Sequence, residues 1–137
     1  MALPNGAGGY QLGDGNLGEP VMGYAPAPAT ATVTATLTVA QVTSGILLGS
    51  PGATAASYTL PTVADLEAGQ LSSAKIGSTF DLSVINVDGS ASGVITLVAG
   101  TGWSIVGLAT VAATAGTSQL FRARKTTATT WTLYRVG

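Results

Sequence analysis

The chain has 137 residues, five of them basic and six acidic, so that only 8% are charged and the formal net charge is −1. Soluble domains average about 25% charged residues; here 20 threonines, set among 22 alanines, must supply polarity through hydroxyls. With no histidine or cysteine, Ser-His-Asp and Cys-His catalysis, His or thiolate metal centres and disulfides are excluded, and the near-zero charge offers no field for nucleic acid or an anionic membrane.

The length suits one domain plus an appendage. Mean hydropathy is positive, yet Thr, Ser, Gly and Pro interrupt both long uncharged runs, residues 20–64 and 89–121. No membrane-spanning helix is therefore predicted, and no basic segment followed by an apolar one marks a secretory leader. An apolar chain this poor in charge keeps itself in solution by burying surface against copies of itself or a partner.

Seven glycines and four prolines fall within residues 1–28, with Leu3, Tyr10, Leu12, Leu17, Met22 and Tyr24 spaced among them. Such a segment does not hold a shape alone. It reads as an extended arm over 1–29, ended by the polyproline-like APAPAT, with a body over 30–137. In the body, Thr30, Thr32, Thr34, Thr36 and Thr38 alternate with Ala31, Val33, Ala35, Leu37 and Val39. Period two predicts a strand with one buried face and one hydroxyl face. A turn of helix follows near residues 39–44, because Thr38 and Gln41 have capping-box spacing and Gly45 supplies a left-handed stop.

Strands are then predicted at 46–49 and 57–60, around the loop SPGATAA. One helix, TVADLEAGQ, is predicted with Thr62 as N-cap and Gly69 closing it. Further strands fall at 79–87 (Phe80, Leu82 and Val84 on one face), 94–99, 103–106, 108–113, 118–125 and 130–136, with a turn at Asp88–Gly89. Eight or nine short strands with a single short helix indicate an all-β body, an antiparallel sandwich or barrel with jelly-roll-like arrangements among the options. No 20–50-residue repeat points to a solenoid or propeller.

The chemistry on offer is thin. Gly13–Gly18, GDGNLG, has the letters of a dinucleotide fingerprint, but its flanks, GGYQL and EPVMG, supply neither strand nor helix. Asp14, Asn16 and Glu19 lack EF-hand spacing and read as turn formers. Asp65 and Glu67 point to different faces of their helix and cannot act as an acid–base pair. A glycosidase pair built on Asp81 is conceivable; the simpler reading is a hydrogen-bonded or ion-paired Asp81 beside Lys75 or an arginine. Arg122, Arg124 and Lys125 form a basic cluster, with Arg122 and Arg124 on the side opposite Phe121 and Ala123. It suits nucleic-acid backbone contact, pairing with acids such as Asp81 on a neighbouring subunit, or an ordinary solvated edge. Trp103, Trp131, Tyr134, Phe80 and Phe121 occupy core-like positions, ahead of any sugar-stacking role.

The Gly-rich arm ALPNGAGGYQLGDGNLGE, the first strand TATVTATLTVAQVTSGILLGSP, the segments YTLPTVADLEA, STFDLSVINVDG and VAGTGWSIVG, and the closing strand pair FRARKTTATTWTLYRV together resemble small decoration, or cement, proteins of tailed-bacteriophage heads. The resemblance spans nearly the whole chain and rests on structural motifs. It implies a non-enzymatic, cofactor-free structural protein, all-β and trimeric, on the outer surface of the virion capsid. Its partner would be the major capsid protein, reached through an arm whose contacts are Leu3, Tyr10, Leu12, Leu17 and Tyr24. It implies no nucleic-acid or membrane binding. The alternative is a head-fibre or tail-associated adhesin that binds carbohydrate or a host surface.

Overall fold

In the computed structural model, which describes residues 23–88 and 93–137, the alternating threonine run is not one strand. It forms β1 (Ala29–Ala31) and β2 (Ala35–Thr36), which belong to different sheets. Thr32, Val33 and Thr34 carry the chain across, leaving Val33 70% exposed. Two side-chain bonds fix the crossing: Tyr58 Oη donates to the Thr32 carbonyl (2.7 Å), and the Ser57 amide donates to Thr34 Oγ1 (3.0 Å).

The predicted helical turn is a short helix, α1 (Val39–Thr43), with both halves of the Thr38–Gln41 capping box made. Gly45, at φ 87°, redirects the chain one residue after the cap Ser44. The strands that follow are β3 (Ile46–Gly49) and β4 (Ala56–Thr59). Next comes α2 (Val63–Ala68), whose N-cap Thr62 accepts from the Asp65 amide and whose end at Gly69 bonds back to the Asp65 carbonyl. β5 (Thr79–Asn86), β6 (Ile95–Val98), β7 (Trp103–Val106), β8 (Thr110–Val111), β9 (Ser118–Lys125) and β10 (Trp131–Arg135) complete the described elements. There are thus two short helices where one was counted. Of the Asp88–Gly89 turn, Gly89 lies outside the described residues.

The strands pair into a six-stranded sheet, β1-β3-β5-β9-β10-β7, and a four-stranded sheet, β2-β4-β6-β8. From β1 to β9, successive strands alternate between the two sheets. Up to β6 the chain visits the other sheet and returns in the direction it first ran, so β1, β3 and β5 are mutually parallel, and so are β2, β4 and β6. β7 and β10 are also parallel. Only β5 with β9, β9 with β10, and β6 with β8 are antiparallel among the described strands. The expected antiparallel architecture is corrected to a mixed one. Turn residues between strands had suggested hairpins, whereas most of these turns pass the chain to the opposite sheet.

One apolar cluster draws on both sheets: Leu47, Leu82, Val84, Phe121 and Leu133 from the larger, Tyr58, Ile95, Leu97 and Val111 from the smaller. Val42 of α1 and Leu66 of α2 are fully buried with them. Each large side chain removed from water in this way contributes about 1.5–3 kcal/mol. The layers meet closely at Gly49, where a Cβ would stand 3.3 Å from the Tyr58 ring and hydroxyl. Asn86, fully buried, spends both Nδ2 protons on carbonyls, of Gly93 (2.9 Å) and Ala112 (3.0 Å), while its Oδ1 accepts from the Asp88 amide. It ties the end of β5 to the segments flanking β6 and β8.

Candidate functional site

Strand parity divides the basic cluster. On β9, Phe121, Ala123 and Lys125 face the core, and Arg122 and Arg124 face outward. Arg122 lies opposite Asp81 of β5, and the two side chains bond through Nε to Oδ1 (2.8 Å) and Nη2 to Oδ2 (3.2 Å). This bidentate pair is about half exposed. Hydrogen bonds from the guanidinium hold the Asp81 carboxyl below its usual range, and the same contacts raise Arg122. Asp81 is therefore the partner of an arginine of its own chain. Arg124 stands in the next row, between Thr79 and Thr132, with no acidic partner among the described residues.

Lys125 is the residue that the sequence reading placed with the wrong neighbours. Its side chain is only 8% exposed, and its Nζ pairs with Oε2 of Glu67, brought down from α2. The Trp131 Nε1 donates to the same oxygen (2.8 Å). The hydrogen bond from Lys125, then that from Trp131, draws the Glu67 carboxyl below its ordinary pKa. Around this pair the aromatics stack as tilted rings: Trp131 lies 6.1 Å from Trp103 and 5.5 Å from Phe80. Trp103 Nε1 donates to the Pro61 carbonyl (2.8 Å). Phe121 is buried and Phe80 packs at the margin of the core, whereas Tyr134 lies half-buried on the outer face, opposite Arg122. The signal for Lys125 was present in the sequence, since it shares parity with Phe121 and Ala123. Nothing local indicated Glu67 as its mate.

A groove of about 570 Å³ opens where β2, β4 and β6 all end in the same direction, beside the first residues of α1 and α2. Thr36, Thr38, Thr59, Thr62 and Thr101 line it, with Asp65 as its one charged side chain. Neutral hydroxyls and a lone carboxylate suit hydrogen bonding to an uncharged polar group, and they provide no second carboxylate for acid–base hydrolysis. Among the described residues no group of three or more acidic, His or Cys side chains is placed to hold a metal ion, and no helix is long and apolar enough to cross a membrane.

Of the arm residues, Tyr24 is 96% exposed, and residues 23–28 are all exposed ahead of β1. Leu3, Tyr10, Leu12 and Leu17 lie outside the described residues. Comparisons of the chain with known family models, with curated proteins and with solved structures find no match.

Proposed function

We propose that this chain is a non-enzymatic structural protein of a phage virion, a trimeric subunit that decorates and stabilises the outer surface of the capsid. The reading rests on its resemblance to such proteins. The structural observation that carries it is how the chain enters its body: residues 23–28, Tyr24 foremost, run exposed into β1, which stands at the edge of its sheet among the described strands. An arm attached at a sheet edge is positioned to continue onto a neighbouring protein, where its backbone extends a sheet and its spaced Leu and Tyr side chains fill pockets. Ordering so many glycines costs entropy, so a single arm binds modestly and several arms on one assembly bind by avidity. The two sheets, sharing one apolar cluster, are taken as the layers of a sandwich.

Co-sedimentation with capsids that lack this protein tests the reading. Full-length chain is expected to pellet with them, and Tyr10→Ser, Leu12→Ser and Leu17→Ser combined to remain in the supernatant. Equal binding by both proteins would remove the arm from the account, and no binding by the unaltered chain would remove the capsid. The threonine groove favours a second reading, an adhesin for neutral saccharides. Glycan binding that is lost on Asp65→Ala and indifferent to the arm substitutions would select it.

A further inference from the structure

The outer face of the six-stranded sheet carries an apolar band, interrupted at Ser83, whose side chains are partly exposed among the described residues. Ile46 of β3 lies beside Ser83 of β5, and Ser83 beside Leu120 of β9. Val136, just past β10, donates its amide to the Leu120 carbonyl and extends the same row. In the adjoining row Val106 of β7 stands beside Tyr134. Leu108 follows Val106 after Gly107, which is held against Arg135. Their exposures are 39% for Ile46, 37% for Leu120, 46% for Val136, 53% for Val106 and 70% for Leu108.

Those fractions leave on the order of 400 Å² of surface on apolar side chains, within the roughly 300–600 Å² of a typical monomer's largest patch, a patch that is often functional. An interface of standard size buries about 800 Å² on each partner, a little over half of it apolar. The band therefore supplies nearly the whole apolar portion of one such interface. Its electrostatics select the occupant. Asp81 and Arg122, the charges beside Tyr134, neutralise each other within the chain. Arg124 is then the one cation on this face without an acidic partner among the described residues. One cation is too few for a nucleic acid or an anionic membrane. An apolar surface so nearly free of net charge is complementary to another like it.

We propose that this band, centred on Leu120 and Val136, is the surface through which copies of the chain meet. The inference rests on the reading of the chain as an assembled structural protein and assigns that assembly a face. It places Asp81, Arg122 and Arg124 at the rim of the contact, where charges set orientation more than affinity.

The test is sedimentation equilibrium of the full-length chain beside Leu120→Glu and Leu108→Glu. The unaltered chain is expected to self-associate at micromolar concentration. Each variant is expected to dissociate at least about tenfold more readily, since a carboxylate would be buried without a partner, with unchanged circular dichroism. Thr79→Glu, on the same face outside the band, should associate as the unaltered chain does.

The chain has no cysteine, so Val136→Cys adds a unique thiol and a readout independent of the charged variants. Its maleimide labelling should slow as protein concentration rises. A monomeric unaltered chain, or labelling indifferent to concentration, overturns the proposal. A monomer that still coats capsids would leave the decoration reading standing while this inference fails. Protection of the thiol by capsids alone would assign the band to the capsid protein and overturn it as well.

Discussion

Replacing Glu67 by Gln tests whether the pair beneath α2 contributes to stability. Gln keeps the size of the side chain and an acceptor for Trp131 Nε1, and removes only the charge. Lys125, 8% exposed, is left in the core without its counter-ion. Breaking a buried pair from one side costs about 3–5 kcal/mol. Glu67 keeps 23% of its side-chain surface in water, which screens part of the interaction and brings the expectation to about 2–3 kcal/mol. For a body of this size that lowers the melting temperature by about 10 °C.

Urea unfolding followed by tryptophan fluorescence is a suitable assay, because Trp131 contacts the substituted group and Trp103 lies beside it. The effect also has a pH signature. A carboxyl whose folded pKa is depressed stabilises the protein above its unfolded value of about 4.3 and loses that contribution as pH falls through the lower folded value. The gap between the two proteins is expected to be full at neutral pH and to close in acid below the ordinary carboxylate range. Lys125→Met, added to the Glu67→Gln variant, should recover most of the loss. A cost under about 0.5 kcal/mol, or a Lys125→Met effect identical with and without Glu67→Gln, would refute the argument.

Asn86→Leu deprives the Gly93 and Ala112 carbonyls of their donor and is expected to cost about 3 kcal/mol by urea titration; tolerance within about 1 kcal/mol would contradict the role given to Asn86. Gly102→Ala combines a backbone at φ 90° with a Cβ 2.8 Å from Val63 Cγ2, for about 3 kcal/mol in all. Gly116→Ala, at φ 80° with nothing within 4 Å, isolates the backbone part and should cost about 1–2 kcal/mol. Asp81→Asn is expected to leave the melting temperature unchanged at physiological salt, since the ion pair it weakens is solvated.

The strands at Ile46–Gly49, Trp103–Val106 and Ser118–Lys125 were legible because each lies in a run of apolar or alternating residues bounded by turn formers. The caps at Thr38 and Thr62 were legible for a similar reason, since a hydroxyl three residues before its partner amide is a local signal. The break between β1 and β2 was not. Threonine and alanine keep alternating through Thr32 and Thr34, and residues so alike in size carry no mark of which sheet they join. Parallel pairing was hidden because it depends on where the chain returns, dozens of residues later. Parity placed Arg122 and Arg124 opposite Phe121 and Ala123, as they stand on β9, while Lys125 was grouped with them by charge against its parity. The ion pair with Glu67 spans 58 residues and leaves no pattern within either segment.

The alternation of strands between sheets governs how this molecule can be made. Neither sheet is a contiguous stretch of polypeptide, so neither can be finished before the other has begun. During synthesis β5 emerges with β3 already available on one side, but its other edge waits for β9, and Ser83 pairs with Leu120 only after 37 further residues. A long strand with one bare edge is a hazard in a nascent chain, and pairings this distant slow folding. The polar, weakly sticky threonines and serines around those edges then serve the unfinished protein as much as the finished one. By the same topology, a protease cut in the SPGATAA loop divides the strands of both sheets between two fragments at once. The two fragments are expected to remain interleaved until the whole body unfolds.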